Sequence, residues 1–330
     1  MHFRRHSALY SFLPALLGLV LLPLTLAAKP REVWERYKIA VISADGEAPA
    51  AKAIEAGARA KSPALEDEYY LALKVDNLSP VDNTPRSRQA ALNRAFLEGY
   101  HGVLLSVGEG VDVADEVDFL SRHGIPVVTV GANVDSTRLA SIVTDEEAAG
   151  RLAAETFLKN MRYMRDNVAL MAGTQGDPVA ERRLAGAKAV LAEAEVLNVD
   201  GPYATDETFA STYPLLREVT EADYGQNLRG WLILGNWPLL GGQPLPWQPG
   251  KKVCVVMDAT PHIIPFLASG QVQAALAEDN FAMGELGMQL LIEKVHNGKE
   301  PEQLVYAVPP AVITPKDLAK FQADWTRWLQ

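Results

Sequence analysis

Short apolar runs recur along this chain, spaced so that one helix fits between each pair. They are KIAVIS (38–43), GVLLSV (102–107), IPVVTV (125–130), NVALMA (167–172), GWLIL (230–234) and VCVVM (253–257). Runs this short, without polar alternation, belong to strands buried on both faces, as in a parallel sheet. Residues 50–61, 86–97, 114–123 and 209–219 carry helical patterns between them, the second with Ala91, Leu92, Ala95 and Phe96 as its buried stripe. Residues 69–75 and 198–203 read as further strands, and 241–250 as a Pro/Gly-rich loop. Strand and helix alternating through short connections predict a doubly wound parallel sheet. The rhythm breaks after Val130 and restarts at Asp145-Glu146-Glu147, an acidic start for a helix with Ala149, Leu152, Ala153 and Phe157 on its apolar face. Two α/β units of similar size follow, with a cleft between them.

A chain of 330 residues, 48% hydrophobic and 22% charged, has the length and apolar content for two such units. Its formal net charge of −10 argues against a nucleic-acid partner. At the N-terminus Arg4 and Arg5 precede an apolar stretch, 12–26, closed by Ala27-Ala28 ahead of Lys29-Pro30. That is the order of a secretory signal peptide, residues 1–28, and places the mature chain in the periplasm. Cys254 is the single cysteine, so the mature chain has no internal disulfide, and a cysteine inside an apolar run reads as a small buried hydrophobe.

Motifs for chemistry are missing. There is no G-x-x-x-x-G-K-[ST] phosphate loop, G-x-S-x-G elbow or H-E-x-x-H helix, and the six histidines are scattered singly. The expectation is therefore a binding protein rather than an enzyme, with no cofactor and no metal. Asp258, directly after the run 253–257, is the clearest polar candidate. Ligands of open α/β sheets bind at the carboxyl ends of strands, which makes this carboxylate a site candidate; an N-cap for a helix beginning near Pro261 is the other reading. Glu278 and Asp279 repeat the pattern after a second apolar run, 272–276.

With these pieces in order, the chain resembles the type I periplasmic binding proteins, the ribose- and galactose-binding family that shares its fold with the ligand domains of LacI-type repressors. The resemblance runs from Lys38 to Phe321. It is carried by GIPVVTVGANVDSTRLASIVTDEEAAGRLAAE (124–155), VALMAGTQGDPVAERRLAGAKAVL (168–191), the stretch 253–284 and the closing ITPKDLAKF (313–321). It implies two doubly wound lobes joined by a three-crossover hinge. The N-terminal lobe is 33–144 plus 279–306, and the C-terminal lobe 145–278 plus 307–330. Thr144, Asp145, Asp279 and Tyr306 then fall at the crossovers, which lie near 144–145, 278–279 and 306–308. A monomer that captures a small polar solute, most simply a sugar or polyol, for an ABC permease is the implied function. The alternative is a periplasmic sensor, similar to the TMAO or autoinducer sensors, that presents its bound state to a membrane histidine kinase.

Site positions carry over from the resemblance one at a time. Asp258 matches the acid directed at a ligand hydroxyl, Asn236 an amide at the preceding strand end, and Arg183 the arginine donated by the second lobe. Glu278 stands where many relatives have glutamine, which replaces a donor-acceptor by an acceptor. Two departures weaken a monosaccharide: Ala50 and Ala51 stand where relatives place aromatics, and Gly131-Ala132-Asn133 replaces an acid and an arginine, leaving Asn133 as the polar group there. Trp237, Tyr203 and Trp247 are candidates for stacking on a ligand. Asp45 and Glu47 add acid to the cleft, which favours a hydroxyl-rich, neutral or cationic ligand. If 1–28 is a signal peptide, N-terminal sequencing of the exported protein will read from Ala28 or Lys29; a chain that keeps Met1 refutes it.

Overall fold

The computed structural model describes residues 35–330 apart from 83, 109, 162–166, 195–197 and 223–226; the expected signal peptide lies outside the described residues. Two six-stranded sheets organise them. The first contains β1 (Glu35–Ser43), β2 (Leu71–Asn77), β3 (Gly102–Ser106), β4 (Val127–Val130), β5 (Ala140–Val143) and β11 (Val305–Ala307), in the order β11-β5-β4-β3-β1-β2 with every pairing parallel. The second contains β6 (Asn167–Met171), β7 (Asn198–Tyr203), β8 (Leu228–Ile233), β9 (Val253–Val256), β10 (Ala274–Ala277) and β12 (Ala311–Ile313), in the order β12-β10-β9-β8-β6-β7. Its pairs are parallel except that between β10 and β12.

The apolar runs form these strands because helices cover both faces of each sheet. In β1, Ile39 and Val41 enter one core and Ala40 and Ile42 the opposite one. In the second sheet Trp231 and Ile233 face one core while Leu232 and Leu234 face the other. Cys254 is buried in β9, and burial pushes its thiol pKa up, as suits a small core residue.

Among the described residues the chain passes between the sheets three times. After β5 it turns at Thr144-Asp145 into α4 (Glu146–Asn160), which packs on β8, β9 and β10. After β10 it returns at Glu278-Asp279 into α8 (Asn280–Asn297), which packs on β3, β4 and β5. Residues 308–310 join β11 to β12. The third passage thus lies just beyond Tyr306, which is part of β11 and faces the first sheet's core.

Backbone-to-backbone helix contacts fix each half. In the first, α1 (Pro49–Tyr69) crosses α8 at Gly57 and Gly284. A methyl on Gly57 would lie 2.0 Å from the Phe281 carbonyl oxygen, and one on Gly284 2.1 Å from that of Ile54. In the second, α4 crosses α5 (Pro178–Glu193) in the same way: a methyl on Gly150 would lie 2.0 Å from the Arg183 carbonyl oxygen, and one on Gly186 2.0 Å from that of Glu147. No substituent fits at either crossing, so these glycines are packing residues rather than turn residues.

Helix α1 runs on past residue 61, where the sequence pattern ends it, through Pro63 to Tyr69. Leu65, 1% exposed in the first sheet's core, provides the burial that offsets the proline. The strand expected at 69–75 therefore begins two residues later, at Leu71. Replacing Gly57 by Ala should lower stability by about 1–3 kcal/mol through overpacking, despite a helix-propensity gain of about 1 kcal/mol. Urea unfolding reads the sign, and a stabilised Gly57→Ala protein would contradict the crossing.

Candidate functional site

The Gly150–Gly186 crossing sets Arg183, on α5, beside the first turn of α4. Its Nε donates to Glu146 Oε2 at 2.5 Å and its Nη2 to Glu146 Oε1 at 3.4 Å. Nη1 donates to Asp258 Oδ2 at 2.8 Å and to the Leu234 carbonyl at 3.3 Å. Nη2 also lies 3.7 Å from Glu278 Oε1. One planar guanidinium thus meets three carboxylates from three parts of the chain, a task suited to its fixed fork of donors.

Asp258 is held in an unusual backbone. Its φ is 56°, in the left-handed region that aspartate tolerates better than most residues, and its carbonyl accepts from Asn236 Nδ2 at 2.6 Å. It does not cap the helical turn at Pro261–Ile263: Thr260 holds that N-cap position, without a side-chain bond. The carboxylate points to Arg183 instead. Asn236 is therefore a support for Asp258.

The first two passages between the sheets each bring an aspartate and a glutamate to this place. Asp145 Oδ1 accepts from Ala148 N at 3.0 Å and Asp279 Oδ1 from Ala282 N at 3.0 Å, so both aspartates are used as N-caps. Their neighbours Glu146 and Glu278 turn inward to Arg183. Thr144 Oγ1 donates to Glu278 Oε1 at 3.4 Å, closing the junction.

Burial, reinforced by the nearby negative charge of Asp258, pushes the Glu278 carboxyl up to about 7; Arg183 opposes this. Its side chain is nonetheless 34% exposed. It opens onto a recess of about 340 Å³ at the carboxyl ends of the first sheet's strands. Its lining is mixed: Ser43, Asp45, Ser106, Thr144, Glu278 and Asn280 are polar, and Ala44, Ala48, Ala50, Ala51, Ile54 and Met283 are apolar. The Ser43 hydroxyl is buried there with no hydrogen-bond partner, an uncommon state for a buried polar group. For Arg183, burial pulls the pKa down, but the charges of Asp258 and Glu146 outweigh it and the net shift is upward.

Two sheets with this topology, crossed three times and with a recess at the strand ends, can be set beside known proteins. The model of the periplasmic binding protein domain matches residues 39–300. The chain belongs to that family. The D-allose-binding periplasmic protein of Escherichia coli (strain K12) is 22% identical over 248 residues, covering 71% of this chain and 79% of that protein. A periplasmic ribose ABC transporter structure from Conexibacter woesei is 18% identical with a TM-score of 0.74, covering 90% of this chain and 98% of that one. A periplasmic solute-binding protein of an ABC transporter from Actinobacillus succinogenes, solved with D-allose, is 14% identical with a TM-score of 0.67, covering 86% of this chain and 100% of that one. At these identities the solved structures speak to fold.

In this member of the periplasmic binding protein family the nominated residues fall into groups. Arg183, Asp258 and Glu278 converge, with Asn236 behind them. Asp45 lines the recess and orders its own turn, its Oδ1 accepting from Glu47 N at 2.9 Å. Glu47 itself is exposed and pairs with Lys52 at 3.0 Å. Asn133 is tied to Arg138 Nη2 at 2.5 Å and is not among the residues lining the recess.

The stacking candidates are placed elsewhere, because they complete the second sheet's core. Trp237 is 8% exposed and lies over Gly235, where any side chain would collide with the indole. Tyr203 packs on Trp231 and donates to Asp200 Oδ2 at 2.7 Å. Trp247 is buried, its Nε1 donating to the Gln271 carbonyl at 3.1 Å. Glu146 is the member that pattern reading missed: in sequence it is one of three acids at a helix start, and only the facing arginine distinguishes it.

Removing Arg183 strands a buried carboxylate, so Arg183→Met should cost about 3–5 kcal/mol. Glu278 acts in the opposite sense on pH. Its folded pKa of about 7 exceeds the ordinary 4.5, so the stability it contributes is complete below about pH 4.5 and is lost as pH rises to about 7. Glu278→Gln should flatten that part of a urea-midpoint profile; an unchanged slope would place the titration elsewhere.

Proposed function

We propose that this protein is an exported solute-binding protein that captures a small polar ligand, of the sugar or polyol class, between its two lobes and delivers it to an ABC importer. The observation that carries the reading is the recess itself. It lies at the carboxyl ends of a parallel sheet, where loops converge. Glu278, from a passage between the sheets, forms part of its wall, and the recess holds a buried hydroxyl without a partner. The likeness to the D-allose-binding periplasmic protein supports a ligand of that class.

Thr144, Asp145, Glu278 and Asp279 form the passages about which the lobes turn, with 308–310 as the third. A ligand touching both Asp45 and Glu278 favours the closed arrangement by its differential affinity for it. Among the described residues no helix is long and apolar enough to cross a membrane. A second reading, a sensor presenting its bound state to a membrane histidine kinase, is favoured by the absence of any aromatic among the described recess residues.

Thermal-shift titration of the chain from residue 29, against sugars, polyols and small amines, tests solute capture. A ligand at 100 times its Kd contributes about 2.7 kcal/mol, which for a protein of this size raises the melting temperature by a few degrees. A flat response to every solute would refute the reading. Co-purification with a permease rather than a kinase separates the two partners.

A further inference from the structure

We infer that the solute taken by this recess carries a positive charge: a hydroxyl-bearing alkylammonium rather than a neutral sugar. The inference rests on the solute-capture reading and replaces its neutral sugar or polyol by an amine-bearing counterpart. Three observations support it.

The first is charge. Among the described residues lining the recess, Asp45 and Glu278 are carboxylates and none is lysine, arginine or histidine. The cation beside Glu278, Arg183, is already engaged by Glu146 and Asp258 at 2.5 and 2.8 Å, and Lys52, next to the lining residue Ala51, pairs with Glu47 at 3.0 Å. Facing Glu278 are Arg183 from α5, Glu146 from α4 and Asp258 beyond β9, with Asp45 sharing its recess. Three carboxylates against one guanidinium leave a formal excess of two negative charges, and Asp45 adds a third. Asp145 and Asp279 are turned away as helix caps.

The second is an orphan. Ser43, 3% exposed, has a buried hydroxyl with no partner in a wall that also holds Ser106, Thr144 and Asn280. A buried hydroxyl left unpaired costs free energy that a ligand group recovers when it bonds there. It is independent of the acids, and it calls for a hydroxyl or ammonium on the ligand.

The third is shape. The apolar part of the lining is largely alanine methyls and, among the described residues, carries no ring. Small methyls suit a slender open-chain ligand better than the broad face of a pyranose, which aromatic rings usually cover. Glu278 then has a definite task. Burial beside Asp258 makes it reluctant to ionise, and an ammonium brought into the recess replaces its proton as counter-charge.

The test uses matched probes. The 1-amino-1-deoxy forms of sorbitol, galactitol and ribitol are compared with sorbitol, galactitol and ribitol, and with ribose, allose and galactose, by calorimetry and thermal shift at pH 6 and pH 8. An alkylammonium stays charged to about pH 10, so any pH effect between these values belongs to the protein. The expected result is that at least one amine binds at least about tenfold more tightly than its neutral parent. Its Kd should fall by up to about tenfold from pH 6 to pH 8, as Glu278 ionises. Glu278→Gln, shown to be folded by its melting curve, should lose both the preference and the pH slope.

A neutral polyol or sugar that binds as tightly as every amine overturns the charge inference and leaves solute capture standing. Amine binding that Glu278→Gln leaves unchanged also overturns it. No shift with any of the nine probes overturns the charge inference and counts against solute capture as well.

Discussion

Backbone contact between α4 and α5 is the constraint on which the site depends. Gly150 and Gly186 let the two helices touch without side chains between them, so Arg183 on one helix meets Glu146 on the other at hydrogen-bond distance. Any larger residue at the crossing would widen it, and a guanidinium held at the wrong height cannot also reach Asp258. The same device, with Gly57 and Gly284, joins α1 to α8 in the first half. Each long helix that follows a passage between the sheets is thus anchored by a close crossing near its start, which carries the geometry of the passage into the lobe.

Arg183 then acts as a junction. It gathers a carboxylate from the start of α4, one from the end of β9 and, more loosely, one from the residue before α8. Two of these three acids, Glu146 and Glu278, stand at or beside passages between the two sheets, so the ion cluster ties both passages to the end of β9. A buried network of this kind adds little net stability, because desolvation offsets the Coulomb gain; its consequence is a defined arrangement. Glu278 is the exception within it, partly exposed to the recess and, by burial beside Asp258, reluctant to ionise.

Several features were legible before folding was considered. Apolar runs of five or six residues could only be strands covered on both sides, and their alternation with helices led to two parallel sheets. Asp258 and Glu278 stand out as acids closing buried apolar runs and Arg183 by resemblance, and the fold brings the three together. Other features had no local mark. β11 and β12 are three residues each, too short for a period to show. Pro63 reads as a stop, and Leu65 overrides it only because a core lies within reach. Trp237 and Tyr203 look like ligand platforms because aromatic residues near strand ends often are. Gly235 leaves a space that the indole fills, and that space exists only in three dimensions.

By itself, then, the sequence determined the class of fold and the kind of residue available for binding, because both follow from local periodicity and residue chemistry. Only the tertiary structure decided which of those residues meet. Glu146 is one of three consecutive acids until α5 lies against it, and Asp258 is an ordinary helix cap until Arg183 claims it. The charge of Glu278 is likewise a property of its surroundings, since its proton affinity is raised by burial and by a neighbour twenty residues away in the chain that is adjacent only once β9 and β10 pair.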